Sequence, residues 1–427
     1  KFMLNNLINK FKIIISDKSL RKQILFTLLI LVFFRIGASI PIPGVDKIRL
    51  ANFFSGNQFL GLLNVFSGGG ISKLSIMMLG VGPYITATII MQLLTMIFPK
   101  LKELYHEEGE AGRKKFNQYS RLLTIPLAIL QGFALLVLLS KQGVLADITL
   151  FGQFLNVIII TAGSVLLMWF GELVSEYGIG NGVSLIIFAG IVASIPSYTG
   201  QLLFTFEASQ APIYLVVAII SILIIAGVVL VTEAERPISV SYAKRIRGNK
   251  IYGGVSTYIP LRVNQAGVIP IIFALSLLLF PQMIAGVLSK MGNELVKTIS
   301  GILLFFVTNP VVSSVFYFVL VFAFTYFYTA VTFDPEAIST NLQKSGAFVP
   351  GIRPGRSTSF YINKILTRIT FVGALFLGFI AVLPMIMKSL TGIAAFAIGG
   401  TALLIVVSVV LEVVKKVEAQ VLMRDYE

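Results

Sequence analysis

The sequence predicts an all-α, polytopic membrane protein, and three observations lead to that fold class. Of the 427 residues, 56% are hydrophobic and only 12% are charged, and the mean hydropathy is +0.90. A soluble globule of this length needs more polar surface than that. Long apolar runs recur along the chain, and positive charge is concentrated in alternate connections between them.

Ten apolar runs are long enough, or nearly long enough, to cross a hydrocarbon core of about 30 Å as helices. They cover residues 23–40, 74–98, 122–140, 152–171, 183–198, 213–232, 267–288, 311–332, 369–387 and 393–411. Positively charged loops stay on the cytoplasmic side, and 26 of the 34 lysines and arginines lie in five segments. These segments are residues 1–22, 99–121, 233–266, 333–368 and the tail from 412. Both termini are therefore predicted to be cytoplasmic.

One connection disagrees with this orientation. Residues 171–180 should be cytoplasmic, yet they carry Glu172 and Glu176. Acidic residues count little in the rule, so the topology is kept.

The chain divides into two halves of five spans with opposite orientations, which is compatible with an inverted repeat. An amphipathic helix on the inner membrane surface is predicted before the first span. The predicted organisation is this helix at 1–22, halves at 23–212 and 213–411, cytoplasmic loops at 233–266 and 333–368, and a tail at 412–427.

The residues that catalysis or metal binding would need are scarce. The chain has no cysteine, and its single histidine, His106, lies in a charged loop. Glu172, Glu233 and Glu235 lie at span ends, and no Gly-rich loop with Lys-Ser or Lys-Thr is present to bind nucleotide. We therefore expect no enzyme, no metal site and no cofactor.

The polar residues within the spans allow more than one interpretation. Arg35 is the only charged residue well inside a run, and its long side chain could reach the outer surface. Thr86, Gln92, Gln131 and Asn264 are neutral. Such groups usually hold helices together by hydrogen bonds, but they also suit a contact that opens and closes.

A short apolar segment lies between the first two spans. Phe59 to Ile71 is too short to cross the membrane and too apolar for a free loop, and three consecutive glycines at 68–70 would provide a hinge. Non-helical backbone at membrane depth is tolerated only beside protein or a water-filled cavity. The segment therefore predicts a cavity, and the alternative is a helix lying on the outer leaflet.

Five separated motifs resemble the SecY family, the channel subunits of the bacterial protein translocon. They are RIGASIPIPG at 35–44, FSGGG at 66–70, GNG at 180–182, NQAGVIP at 264–270 and SGAFVPGIRPG at 345–355. The resemblance extends from about residue 20 to 420. It implies ten helices in two inverted pseudo-symmetric halves around an hourglass pore with a short plug helix. Unfolded polypeptides would cross this pore, and transmembrane segments would leave it sideways into lipid.

The resemblance also implies site residues. The pore ring would be Val81, Ile85, Val183, Ile187, Ile272 and Ile405. The plug, residues 59–72, would include Phe59, Leu62, Leu63, Asn64, Phe66, Gly68, Gly69 and Gly70. The lateral gate, between the second and seventh spans, would include Thr86, Gln92 and Asn264. Flexible aliphatic side chains can close around any polypeptide, and a narrow apolar constriction resists wetting.

The basic cytoplasmic loops are expected as topology signals alone. The resemblance implies that they also dock the motor ATPase SecA and the ribosome, whose RNA phosphates attract Arg and Lys. The docking residues would be Lys244, Arg245, Arg247, Lys250, Arg353 and Arg356. The other implied partners are the SecE and SecG subunits, signal sequences, nascent chains and the lipid of a prokaryotic plasma membrane.

The residues alone leave two other classes open. A secondary transporter with broken helices would need carboxylates near the bilayer midplane. A membrane scaffold without a pore would not conduct ions under any condition.

Overall fold

The structure is a computed structural model, and it describes residues 17–43, 64, 67, 69–71, 73–141, 143–145, 149–204, 211–242, 245–247, 250–252, 256–288, 294–391 and 399–424. The helices in these residues are α1 (Lys18–Gly37), α2 (Gly82–Ile97), α3 (Pro99–His106), α4 (Gly109–Lys141), α5 (Leu150–Tyr177), α6 (Gly182–Phe204), α7 (Ala211–Glu233), α8 (Ile269–Leu288), α9 (Glu294–Thr308), α10 (Pro310–Thr332), α11 (Pro335–Lys344), α12 (Arg356–Thr391) and α13 (Gly399–Arg424). The strands are β1 (Glu235–Tyr242), β2 (Arg245–Arg247), β3 (Lys250–Tyr252), β4 (Ser256–Arg262) and β5 (Ala347–Phe348).

Every predicted span overlaps a described helix. In order, the ten spans fall on α1, α2, α4, α5, α6, α7, α8, α10, α12 and α13. By length and apolar composition, five helices in the described residues are able to cross a membrane. The pair α2 and α3 makes a sixth if it is one span bent by 116°. The count of ten therefore stays a prediction. Most of the predicted amphipathic helix at 1–22 lies outside the described residues.

The second span begins later than its apolar run. The apolar run near residues 74–98 is helical only from Gly82, the first residue of α2. Leu74 and Gly80 have positive φ angles of 42° and 60°, which a right-handed helix cannot contain. Pro83 lies in the first turn of α2, where its missing N–H costs no hydrogen bond.

Helix contacts separate the bundle into two groups. In the first group α1, α2, α4, α5 and α6 pack together, and in the second group α7, α8, α10, α12 and α13 do. The main contacts between the groups join α8 to α2 and α4, and α13 to α6. The seam between α8 and α2 is where the resemblance implies a lateral gate.

Within the first group, glycines allow very close helix contacts. A Cβ added at Gly182 would lie 1.9 Å from the carbonyl oxygen of Gly171, and one at Gly163 would lie 2.0 Å from that of Ile76. No side chain fits at either position. These contacts fix α5 against the start of α6 and against the segment before α2, and both of these carry predicted pore residues.

The two large loops that the charge rule predicts to be cytoplasmic form one small module with its own core. Strands pair in the order β4-β1-β5, so the loop before α8 and the loop before α12 share a sheet, and β2 pairs with β3 in a separate hairpin. Ile238, Val240, Leu261, Ala347, Val349 and Ile362 are buried together there. The sequence analysis predicted no strands, because it located these segments only as basic loops.

Candidate channel site

Aliphatic side chains from three helices meet at one cavity of about 490 Å³. The lining includes Ile85 from α2, Val183 and Ile187 from α6, and Ile272 from α8. Val183 and Ile187 are four residues apart and therefore lie on one face of their helix. Four of the six predicted ring residues thus share one cavity.

The two remaining ring residues lie in the same hydrophobic cluster as the others. Val81 is 2% exposed and is the N-cap residue of α2, and Ile405 is 1% exposed on α13. Neither lines the cavity. All six ring residues are aliphatic side chains packed at the junction of the two helix groups.

The wider part of the cavity is polar. Arg121 of α4 donates a hydrogen bond to Glu172 of α5, and Asn117, Glu176 and Asn181 line the same cavity. The two acidic residues that disagreed with the charge rule, Glu172 and Glu176, therefore both line this cavity. The sequence analysis did not select Arg121, Asn117 or Tyr84, whose only sequence signal is their place at a span end.

The predicted gate residues are buried, but few hydrogen bonds hold them. Thr86, Gln92 and Asn264 are 4%, 8% and 6% exposed. Gln131 of α4 donates through Nε2 to Oγ1 of Thr86 at 3.4 Å, which is long for a hydrogen bond. Among the described residues, the buried side-chain carbonyl oxygens of Gln92 and Asn264 have no hydrogen-bond partner.

Asn264 lies away from the other two gate residues. A Cβ added at Gly373 of α12 would lie 3.9 Å from the Cα of Asn264, so Asn264 packs against α12. Gln92 and Thr86 are on α2, and Gln92 lines the cavity. In the described residues, a hydrogen bond joins Thr86 to Gln131, but none joins Asn264 to Thr86 or Gln92.

The described part of the predicted plug ends in a tight turn. The backbone N–H of Gly69 donates to the carbonyl of Asn64 at 2.8 Å, and that of Gly70 donates to Ser67 at 3.2 Å. Gly69 has φ of +81°. A Cβ added at Gly70 would lie 3.0 to 3.1 Å from Ser67, Ser75 and Met77. The backbone conformation at Gly69 therefore favours glycine, and a side chain at position 70 would be crowded. Phe59, Leu62, Leu63, Phe66 and Gly68 lie outside the described residues.

The predicted docking residues occupy two places in the module that the two large loops form. Arg245, Arg247 and Lys250 belong to the β2–β3 hairpin, where Arg247 pairs with Lys250. Lys244 lies outside the described residues. Arg353 and Arg356 are exposed at the start of α12. Oγ1 of Thr358 donates to the carbonyl of Arg353 at 2.9 Å, which fixes this turn.

Comparison with solved structures shows that the chain has the fold of known polytopic helical membrane proteins. One solved structure is a SecY protein whose plug domain stabilises the closed state of the translocation channel and maintains a membrane seal. It has a TM-score of 0.65 and 21% identity, and the match covers 95% of this chain and 93% of that one. Sec61 in the canine ribosome-channel complex has a TM-score of 0.63 and 20% identity over 95% and 93% of the two chains. The predicted fold class is thus confirmed.

The sequence comparisons give the family. The protein translocase subunit SecY of Mycobacterium tuberculosis is 43% identical over an alignment of 429 positions, which covers 96% of this chain and 96% of that one. The sequence profile of the SecY family matches residues 75–414. The chain belongs to the SecY family of multi-pass membrane proteins, which are channel subunits and not enzymes.

Proposed function

We propose that the chain is a protein-conducting channel subunit and that its pore passes through the cavity between α2, α6 and α8. The observation that carries the proposal is the meeting of Ile85, Val183, Ile187 and Ile272 at that cavity. Side chains of this kind can yield to a passing polypeptide and close behind it, and their apolar surface resists ions. Val81 and Ile405, buried beside them, complete the ring.

The lateral gate is the seam where α8 meets α2 and α4. A signal sequence is an apolar helix, and leaving the pore for lipid favours it by about 0.8 kcal/mol for each methylene that becomes buried. Thr86 and Gln92 lie on α2, and Asn264 lies in the segment just before α8. Their few hydrogen bonds suit helices that must separate and return.

Residues 59–72 form the plug on the outer side of the ring. The turn at Gly69 and Gly70 supports this assignment, because it packs against the segment that leads directly into α2. The glycines would thus have two roles. They would provide the predicted hinge, and Gly70 would also allow close packing, because an added Cβ there would be crowded by neighbouring atoms.

The cytoplasmic module docks the partners that supply energy. Arg353 and Arg356 are exposed on it, and the β2–β3 hairpin carries Arg245, Arg247 and Lys250 beside Lys244. Such a basic surface suits ribosomal RNA or acidic side chains of SecA. SecE and SecG are the proposed companion subunits. The charge distribution supports a cytoplasmic location for both termini, and the proposed location of the channel is the plasma membrane of a prokaryotic cell.

Ion conductance of the reconstituted complex tests the pore and the plug together. The intact protein is compared in planar bilayers with a variant that lacks Phe59 to Ser72. We expect the intact protein to stay closed and the deletion variant to leak. No current from either folded protein would overturn the channel and favour a scaffold.

A matched pair of substitutions in α6 locates the pore. Ile187 is 1% exposed and lines the cavity, whereas Ile195, eight residues later, is 46% exposed. In the deletion variant, Ile187→Ser should widen and wet the constriction and raise the conductance, while Ile195→Ser should leave it unchanged. Equal effects of the two substitutions would show that the pore lies elsewhere.

A further inference from the structure

Arg35 lies beside the plug turn. It is in the last turn of α1, and its side chain is partly buried. A Cβ added at Gly69 would lie 3.9 Å from Nη1 of Arg35 and 3.8 Å from Oγ of Ser194 in α6. The guanidinium therefore lies next to this turn, a contact that the sequence analysis did not predict.

The turn next to Arg35 offers backbone carbonyls and neutral side chains. Asn64 and Ser67 are buried, and Oγ of Ser67 donates to the carbonyl of Asn64 at 3.0 Å while it accepts from the N–H of Ile71. The sequence from Phe59 to Gly82 contains no Asp or Glu, and its only charged residue is Lys73. A cation can therefore bind this segment only through neutral oxygen atoms.

An arginine is suited to that task. Its guanidinium has five N–H donors and stays charged at any physiological pH. A charged side chain at membrane depth is costly and is generally retained for a function. Here the charge is placed where the chain turns at Gly69, between α1 and α6.

We propose that Arg35 is a plug-positioning residue, whose guanidinium holds the turn at Gly69 against α1 and α6 while the channel is closed. This inference rests on the proposed function of residues 59–72 as the plug. When the plug leaves, water entering the cavity solvates the guanidinium, so the net energy of holding is modest and the opening is reversible.

The test compares three substitutions in the full reconstituted complex. Arg35→Met removes the donors and keeps an apolar side chain of similar length. Arg35→Lys keeps the charge with fewer donors. Lys73→Met is the matched control, because it removes an exposed positive charge from the same outer segment. Open time in planar bilayers is measured, together with export of a substrate that carries a weakened signal sequence.

Arg35→Met should raise the open time about tenfold, which corresponds to about 1.4 kcal/mol, and should increase export of the weakened substrate. Arg35→Lys should give a smaller rise, and Lys73→Met none. Increased export is a gain of function that misfolding cannot produce.

Two outcomes would overturn the inference, and they can be distinguished. If Arg35→Met stays as closed as the intact protein while deletion of residues 59–72 opens the channel, Arg35 does not position the plug and the proposed function stands. If the deletion also fails to conduct, the plug assignment itself is wrong.

Discussion

The proposed lateral gate and the proposed plug turn are built in opposite ways. At the gate, two buried side-chain carbonyl oxygens, on Gln92 and Asn264, have no partner within the described part of the chain. At the plug turn, backbone hydrogen bonds of 2.8 to 3.2 Å run through residues 64–75, and the space at Gly70 is filled by neighbouring atoms.

This difference determines what opposes the opening of each element. Buried polar atoms without partners raise the free energy of the joined helices, so separating them is less costly. A turn that depends on glycine geometry has one favourable conformation and tolerates few changes. A gate with few hydrogen bonds can open gradually, whereas a plug whose turn has one favourable conformation is either seated or displaced.

The largest effect is expected from Gly70→Ala. The added methyl would meet the carbonyl oxygens of Ser67 and Met77, which belong to the backbone and cannot rotate away. Overpacking of this kind costs about 1 to 3 kcal/mol, so the closed state should leak about 5- to 150-fold more. Conductance in planar bilayers measures the change.

Gly200→Ala is the control, because a Cβ at Gly200 of α6 would have no neighbour within 4 Å. A Gly70→Ala channel as tight as this control would show that the turn can relax, and the contrast with the gate would disappear.

A smaller effect of opposite sign is expected from Gln92→Leu. The substitution removes a buried carbonyl without a partner and keeps an apolar side chain of similar size. The closed gate should gain about 1 kcal/mol, and a signal sequence should enter lipid about fivefold more slowly. The measurement is the insertion rate of an apolar segment in reconstituted vesicles.

Thr88→Val is the control for this change. Thr88 lines the same cavity on α2, but its hydroxyl already donates to the carbonyl of Tyr84 at 2.9 Å. We expect no gain in closure from its removal. Equal slowing by both substitutions would mean that apolar character at the cavity matters, and not the unpaired carbonyl.

Much of the transmembrane arrangement could be predicted from the sequence, because long apolar runs have few alternatives in a bilayer. All ten predicted spans fall on helices. The start of α2 could not be predicted, since hydropathy does not report the positive φ angles at Leu74 and Gly80. The shared sheet was missed because β5 has only two residues and pairs with a strand about a hundred residues earlier in the chain.

Less of the candidate site than of the fold could be predicted from the residues themselves. The ring residues came from the resemblance, and burial without it would not distinguish Ile187 from other core residues of α6. Arg35 was recognised as unusual from its charge, but its position beside Gly69 depends on a long-range contact between α1 and the plug turn. The pairing of Gln131 with Thr86 was likewise invisible, because the two residues are 45 positions apart.

The smallest effect concerns the hydrogen bond between Gln131 and Thr86. It joins α4 to α2, and both helices lie on the same side of the seam with α8, so gate opening should leave it intact. A double-mutant cycle of Gln131→Leu and Thr86→Val should give a coupling of about 0.6 kcal/mol in the free energy of unfolding. The insertion rate should show no coupling. A coupling in the insertion rate would mean that α2 moves away from α4 when the gate opens, and the seam would then have to be placed between those two helices.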